Sequence, residues 1–192
     1  MKLKSTELNK FLLKIKNTYP KSKHIAQRGV GDLLEGYVID EAKLYSNFEL
    51  ATGPKSTGDF GFTEDNKSVL VDIKTHNAKS SMSMPNLISM KKLLKIIDNN
   101  EELYYLFLSY NTNKSNIDIL NKKVISVYDL NVNNLGIGAL GNGQLQIKDY
   151  NKSQNTLTKT QTKSEFISEI KTLYKNFAEK QKDKWEKMYN LI

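Results

Sequence analysis

The chain of 192 residues contains no cysteine, two histidines, three prolines and one tryptophan. The missing cysteine removes disulfides, thiol nucleophiles, thiolate-bound zinc and iron–sulfur clusters together. With only His24 and His76, a multi-histidine metal site lacks ligands. Long apolar runs are absent as well, since nothing approaches the roughly 18 consecutive apolar residues of a spanning helix. The first twenty residues are interrupted by Lys10, Lys14 and Lys16, which leaves no apolar core for a secretory signal. These absences predict a cytoplasmic protein with no membrane partner. Arginine is nearly missing too, Arg28 being the only one.

What is present is lysine. Lys and Arg total 29 against 21 Asp and Glu, a formal charge of +8. Lysine with abundant Asn and Ile matches the codon usage of an AT-rich genome, which accounts for part of this bias. The remaining excess favours a polyanionic partner, most simply nucleic acid. Hydrophobic residues make up 39% and charged ones 26%, proportions of a folded soluble chain. The length suits one domain over 1–192.

Leu8, Leu12 and Ile15 recur at helical spacing and predict an amphipathic first helix. Leu33, Leu34, Tyr37, Val38 and Ala42 predict a second over 30–44. The Gly- and Pro-rich stretch 51–58 breaks regular structure. A short strand is expected at 59–62, a turn at 64–67, and a strong strand at 68–75 with Val69, Val71 and Ile73 alternating against Leu70, Asp72 and Lys74. Residues 86–97 read as a third helix with Leu87, Met90, Leu94 and Ile97 on one face. The run 103–110 is apolar on both faces, as a central strand would be. Further strands are expected near 117–120 and 124–128. A long helix over about 164–190 follows, with Phe166, Ile170, Leu173 and Phe177 as its buried stripe. The order predicts an α/β or α+β fold, a mixed sheet flanked by helices.

The residues that carry chemistry are Gly58-Asp59 and, thirteen positions after that aspartate, Asp72-Ile73-Lys74. Residues two apart on a strand project from one face, so Asp72 and Lys74 point together. If the Asp59 segment pairs with that strand, all three polar groups converge. Two carboxylates without histidine or cysteine form an oxygen-rich site suited to Mg²⁺. A neighbouring ammonium can hold a water or pair with a phosphate oxygen. This is equipment for metal-assisted phosphodiester hydrolysis. A strand apolar on its flanks pays heavily for charges without a purpose, which favours a site over a solvated face.

This pattern resembles the PD-(D/E)xK nucleases, the family that includes most type II restriction endonucleases, over roughly residues 30–110. Gly58 replaces the proline of the motif, and Asp72-Ile73-Lys74 matches the acidic-x-Lys triplet. The resemblance implies a restriction-endonuclease-like fold. It implies Asp59 and Asp72 as metal ligands with the carbonyl of Ile73, and Lys74 as the group that positions the attacking water. It also implies a further acid from a preceding helix. Glu35 and Glu41 are both candidates, Glu35 being preferred.

The segment after the triplet is small, polar and basic, and His76, Asn77, Lys79 and Ser81 are candidate DNA contacts. His76 is equally readable as a structural residue. Gly136, Gly138 and Gly141 spell a dinucleotide-type glycine pattern, but the alternation of 144–148 predicts a strand where a pyrophosphate site needs a helix. No organic cofactor is therefore expected. A Gly-rich stretch followed by a strand resembles a segment found toward the C-terminus of some type II restriction enzymes. Asn142, Gln144, Gln146 and Lys148 are candidate base readers within about 131–150. The mixed charges of the last helix suit a solvated face, and Trp185, Met188 and Tyr189 suit packing on the core or on a second subunit.

The expectation is a Mg²⁺-dependent type II restriction endonuclease acting on double-stranded DNA as a homodimer. A repair or junction-resolving nuclease of the same fold, or a non-catalytic nucleic-acid-binding protein, are the alternatives.

Overall fold

Residues 103–110 are eight consecutive buried positions, and they form the middle of the main sheet. The structure, a computed structural model, describes residues 5–21, 29–52, 57–80, 85–138, 143–150 and 155–190. In chain order the elements are α1 (Thr6–Lys14), β1 (Thr18–Pro20), α2 (Val30–Ala42), β2 (Glu49–Leu50), β3 (Phe60–Glu64), β4 (Lys67–Asn77), β5 (Asn86–Ser89), α3 (Met90–Asp98), β6 (Glu102–Thr112), β7 (Asn116–Ser126), β8 (Leu135–Ile137), β9 (Gln144–Ile147) and α4 (Lys163–Tyr189). Six strands make one mixed sheet in the order β1-β7-β6-β4-β3-β2, and β5-β9-β8 make a second, smaller one. The expected α+β arrangement of a mixed sheet flanked by helices is present.

Among the described strands of the main sheet, β4 and β6 alone run parallel, joined by a crossover through β5 and α3. Parallel neighbours require such a connection, which places α3 against one face of the sheet. Strand alternation divides the core in two. Val69, Val71 and Ile73 of β4 join Tyr104, Leu106 and Leu108 of β6 in a cluster with α1 and α2. Leu70 of β4 and Leu103, Tyr105 and Phe107 of β6 face the other way, toward α3, the small sheet and α4.

β3 and β4 are closed by Asp65 and Asn66 at φ of 52° and 58°. Both residues tolerate the left-handed region, and two such residues suit the twist of a tight hairpin. β3 pairs with β4 only from Glu64↔Lys67 to Phe60↔Val71. Among the described residues, no strand continues the pairing of β3 with β4 beyond Val71.

Several boundaries differ from those read in the sequence. β4 continues to Asn77, two residues past the expected end, because β6 pairs with it as far as Asn77↔Tyr110. The expected strands near 117–120 and 124–128 are one strand, β7, carried through Asn121–Lys123 by pairing with β6 and a register shift at Ser109/Tyr110. The expected helix over 86–97 begins later. Residues 86–89 pair with β9 as a strand, and the Ser89 side chain then caps α3 by accepting from the Lys92 N–H. The buried face of α3 is accordingly Leu93 and Ile96, and Leu94 is exposed. In α4, Phe166 and Ile170 are buried, but Leu173 and Phe177 are only half-buried. From about Lys175 that helix extends beyond the body and exposes Trp185, Met188 and Tyr189.

Phe11 of α1 ties the outer helices to β3. It is 1% exposed and meets Tyr45, Phe48 and Phe60 edge-on, each with ring centroids 5.4 Å apart. Phe11→Ala should cost about 3–5 kcal/mol. Urea unfolding should show a lower midpoint with little change of slope. A midpoint equal to that of the wild type would show that α1 does not hold the aromatic cluster together.

Candidate active site

The end of β3 pairing creates the site. An outer strand residue turns both its N–H and its C=O toward the same edge, so Val71 and then Ile73 present their backbone groups to the side where β3 lies. Val71 is served normally, its carbonyl accepting the Asp59 N–H at 2.7 Å. At Ile73 the strand partner is replaced by a side chain. The Asp59 carboxylate, through Oδ2, accepts the Ile73 N–H at 2.6 Å. The Ile73 carbonyl, by the same alternation, faces this open edge.

Gly58 is what lets the chain turn here. A Cβ on it would lie 2.7 Å from the Val71 carbonyl oxygen and 3.2 Å from its carbon, both backbone atoms that have no room to move. Glycine at this position is therefore required by close backbone approach.

Asp72 and Lys74 project from the face of β4 that α3 covers. Their side chains form an ion pair, Nζ to Oδ2 at 2.8 Å, and remain 18% and 21% exposed. Burial is the chief influence on Asp72 and raises its carboxyl to about 6, opposed first by the Lys74 charge and hydrogen bond.

Glu35 approaches from α2, on the other side of the same edge. Gly31, one turn earlier, brings α2 tight against β4, since a Cβ there would lie 2.7 Å from the Thr75 hydroxyl. That hydroxyl donates to Glu35 Oε1 at 3.4 Å. Burial pushes the Glu35 carboxyl up to about 7, and the Asp59 charge adds to the rise; Lys74 opposes it, and Asp32 and Asp72 raise it further. Glu35, Asp59, Asp72 and Lys74 thus lie within one another's fields around one strand edge. Glu41, the other helix acid considered, is elsewhere. It accepts from the Tyr19 hydroxyl at 2.8 Å and lies 3.9 Å from Lys16.

The candidate DNA contacts are more scattered. His76 lies on the Asp72 and Lys74 face but is 3% exposed and packs its ring 4.8 Å from that of Tyr150. That burial gives it a packing role and keeps it from reaching a duplex directly. Asn77 ends β4 and accepts the Lys79 N–H on Oδ1 at 2.9 Å, which leaves the Lys79 side chain exposed. Ser81 and Asn142 lie outside the described residues. Gln144 and Gln146 sit on one face of β9, the middle strand of the small sheet. Gln144 donates to the Leu87 carbonyl at 3.2 Å, and Gln146 donates to Asn86 Oδ1. Lys148 donates to the Asn133 carbonyl at 3.0 Å. These groups knit β5, β9 and the 132–134 turn together before any ligand arrives. β8 and β9 are antiparallel arms, so the glycine-rich segment leads into a strand.

Sequence reasoning missed Asp32 and Lys92, whose charges act on Glu35 and Asp72 respectively. Asp32 was detectable as a residue one turn before Glu35. Lys92 was hidden by the misplaced start of α3.

Among the described residues no three Asp, Glu or His side chains are gathered closely enough to cage a metal alone. Mg²⁺ does not require that. It keeps several waters and takes one or two carboxylates together with substrate phosphates. The Asp59 and Asp72 carboxylates and the Ile73 carbonyl are the oxygens that could hold such an ion, and its charge would favour the ionised carboxylates that burial disfavours.

No family model matches the chain, and no curated protein matches it by sequence. Among solved structures, the NlaIV restriction endonuclease is similar with a TM-score of 0.52 and 14% identity, over 78% of this chain and 69% of that one. The likeness is one of fold: the chain has a restriction-endonuclease-like fold. No helix among the described residues is long and apolar enough to cross a membrane.

Two measurements check the site. Glu35 binds its proton more tightly folded than unfolded. Its contribution to stability is therefore fullest below about pH 4.5 and is lost as pH rises to about 7. Without divalent metal, Glu35→Gln should be more stable than wild type at pH 8 by on the order of 1–3 kcal/mol, the gap closing toward pH 4.5. Asp72 should still give a slope below about pH 6. Identical pH profiles of thermal unfolding for the two proteins would place Glu35 outside the cluster. Separately, Gly58→Ala should displace Asp59 and be destabilised by about 1–3 kcal/mol in chemical unfolding. An alanine variant of wild-type stability would remove the close approach as the reason for glycine.

Proposed function

We propose that the protein is a Mg²⁺-dependent type II restriction endonuclease that hydrolyses phosphodiester bonds of double-stranded DNA at a specific, palindromic site. The observation that carries this reading is the meeting of Asp59, Asp72, Lys74 and Glu35 at the unpaired edge of β4 in a restriction-endonuclease-like fold. The basic balance of the chain supports a polyanionic substrate.

Asp59, Asp72 and the Ile73 carbonyl would hold the metal. Once bound, Mg²⁺ supplies positive charge that lowers the pKa of water and offsets charge developing on the phosphate. The residues do the rest. Asp59 is oriented by the Ile73 N–H through Oδ2, and its other oxygen would be the one to meet the metal. The Lys74 ammonium, held 2.8 Å from Asp72, presents its remaining protons to a water in line with the phosphorus or to a phosphate oxygen. Glu35, with a raised affinity for a proton, adds a further carboxylate that can accept a hydrogen bond from that water.

Two copies of the chain would match a two-fold DNA site and cut one strand each. The extended half of α4 supports this part of the reading. Its Trp185, Met188 and Tyr189 are exposed, and the neighbouring pair Lys182–Glu186 organises charge beside them.

A second reading has an observation in its favour. Gln144, Gln146 and Lys148 already hydrogen-bond within the protein, which weakens their case as base readers and favours a nuclease of the same fold that recognises DNA structure, as in repair or junction resolution.

Plasmid cleavage separates the readings. Discrete fragments formed with Mg²⁺ and abolished by EDTA support restriction, and sequencing their ends gives the site. Nicking that depends on DNA structure supports repair, and binding without cleavage supports a non-catalytic module. Asp72→Ala and Lys74→Ala should each lower the cleavage rate by roughly 10²-fold or more. Full activity in Asp72→Ala would overturn the site assignment. Light scattering of the active protein should give twice the chain mass.

A further inference from the structure

Helix α3 runs along the same face of β4 that carries Asp72 and Lys74. Its register on that strand can be read from the cleft beside β3. Ile96 and Lys95 line this cleft of about 380 Å³ together with Leu70, Gly61, Thr63 and Gly58. Ile96 is buried there, and Leu70 packs into the same cluster. A crossover helix runs opposite in direction to the strands it connects. One turn back along α3 from Ile96 is Lys92, and the next residue of β4 on that face after Leu70 is Asp72. A helical turn rises about 5.4 Å, and two strand residues about 6.6 Å. The two steps nearly coincide, which brings Lys92 toward the Asp72 side of the strand. Electrostatics agree with this placement. After burial and the effects of Lys74 and Asp59, the Lys92 charge is the next influence on the Asp72 carboxyl, favouring its ionised form.

We propose that Lys92 is a second phosphate-binding lysine of this site, meeting an oxygen of the DNA backbone seated over Asp72 from the α3 side while Lys74 meets it from β4. The inference rests on the nuclease reading only for the identity of the substrate. Lys91 and Lys92 both lie in the first turn of α3, which holds no acidic residue. Positive charge there opposes the helix dipole. The Lys92 side chain is half-buried, as suits a long apolar stem with a charged end. Lys95, one turn nearer the C-terminus, continues the basic line along the cleft. A duplex lying across the edge of β4 would therefore touch cations on both sides of the strand.

The test compares the wild type with Lys92→Met, which keeps the stem and removes the charge, and with Lys92→Arg. Lys43→Met controls for the loss of one positive charge, because Lys43 is exposed and pairs with Asp40 at the far end of α2. Binding of a fluorescent DNA duplex is titrated in EDTA at several salt concentrations, and plasmid cleavage is followed with Mg²⁺. Lys92→Met should weaken binding roughly threefold to tenfold at about 0.1 M salt and reduce the logarithmic salt slope by about one. Lys92→Arg should restore most of the affinity, and Lys43→Met should match the wild type. Equal affinity and salt slope in Lys92→Met and wild type would overturn the proposal, even if both cleave. A wild type that never cleaves but binds through Lys92 would instead overturn the nuclease reading and leave this contact standing. Thermal unfolding separates the two roles: a large loss in Lys92→Met, with no rescue by arginine, would mark the residue as structural and overturn the proposal.

Discussion

One hydrogen bond organises this protein: the Ile73 N–H donated to the Asp59 carboxylate. A strand that loses its neighbour part-way leaves backbone donors and acceptors without partners. β4 meets that problem just past Val71, where β3 has turned away. Asp59 solves it with a side chain. The consequence is that a carboxylate is fixed at the sheet edge, next to a backbone carbonyl facing the same way, with no strand among the described residues in front of either. The Gly58 turn exists to bring Asp59 back to this place, and its lack of a Cβ is what the close passage of the Val71 carbonyl demands.

The rest of the site is arranged around that edge by the two layers of the core. The face of β4 bearing Val69, Val71 and Ile73 is covered by α2, which delivers Glu35 over Thr75 through the contact at Gly31. The opposite face bears Asp72 and Lys74 and is covered by α3, which delivers Lys92. Neither helix need enter the site. Each approaches from its own side, and the strand edge is where the two sides become neighbours. Partial burial then raises the proton affinity of Glu35 and Asp72, an electrostatic tension that a bound dication or a well-placed ammonium relieves.

The small sheet shows a different economy. Its polar face carries Gln144 and Gln146 on β9, and both are engaged with β5 through Leu87 and Asn86. A short strand of four residues has few ladder bonds of its own, so side-chain bonds hold it in register. The residue types that suit base reading are also the types that suit this work. Their chemistry alone does not distinguish the two uses.

Local pattern was enough for much of this. The alternation around Asp72 and Lys74 is a property of strand geometry, and the spacing of Asp59 to Asp72 matches a hairpin, so the convergence of the three was readable before any coordinates. So was the both-sided burial of β6, because a central parallel strand has no solvent face. The choice of Glu35 over Glu41 was a bare preference in the sequence. Both acids lie on one helix, and only the approach of α2 to Thr75 at Gly31 set Glu35 beside the strand edge while Tyr19 took Glu41. His76 shows the same limit: strand pairing with β6 extended β4 through it and buried it against Tyr150. The start of α3 was misread because residues 86–89 have apolar spacing that fits a helix, and the partner that makes them a strand, β9, lies more than fifty residues on. Lys92 went unnoticed for that reason. The sequence alone determined which groups share a face of one element, since that follows from the period of a strand or helix. Tertiary structure decided which faces meet, because packing between elements distant in the chain has no local signature.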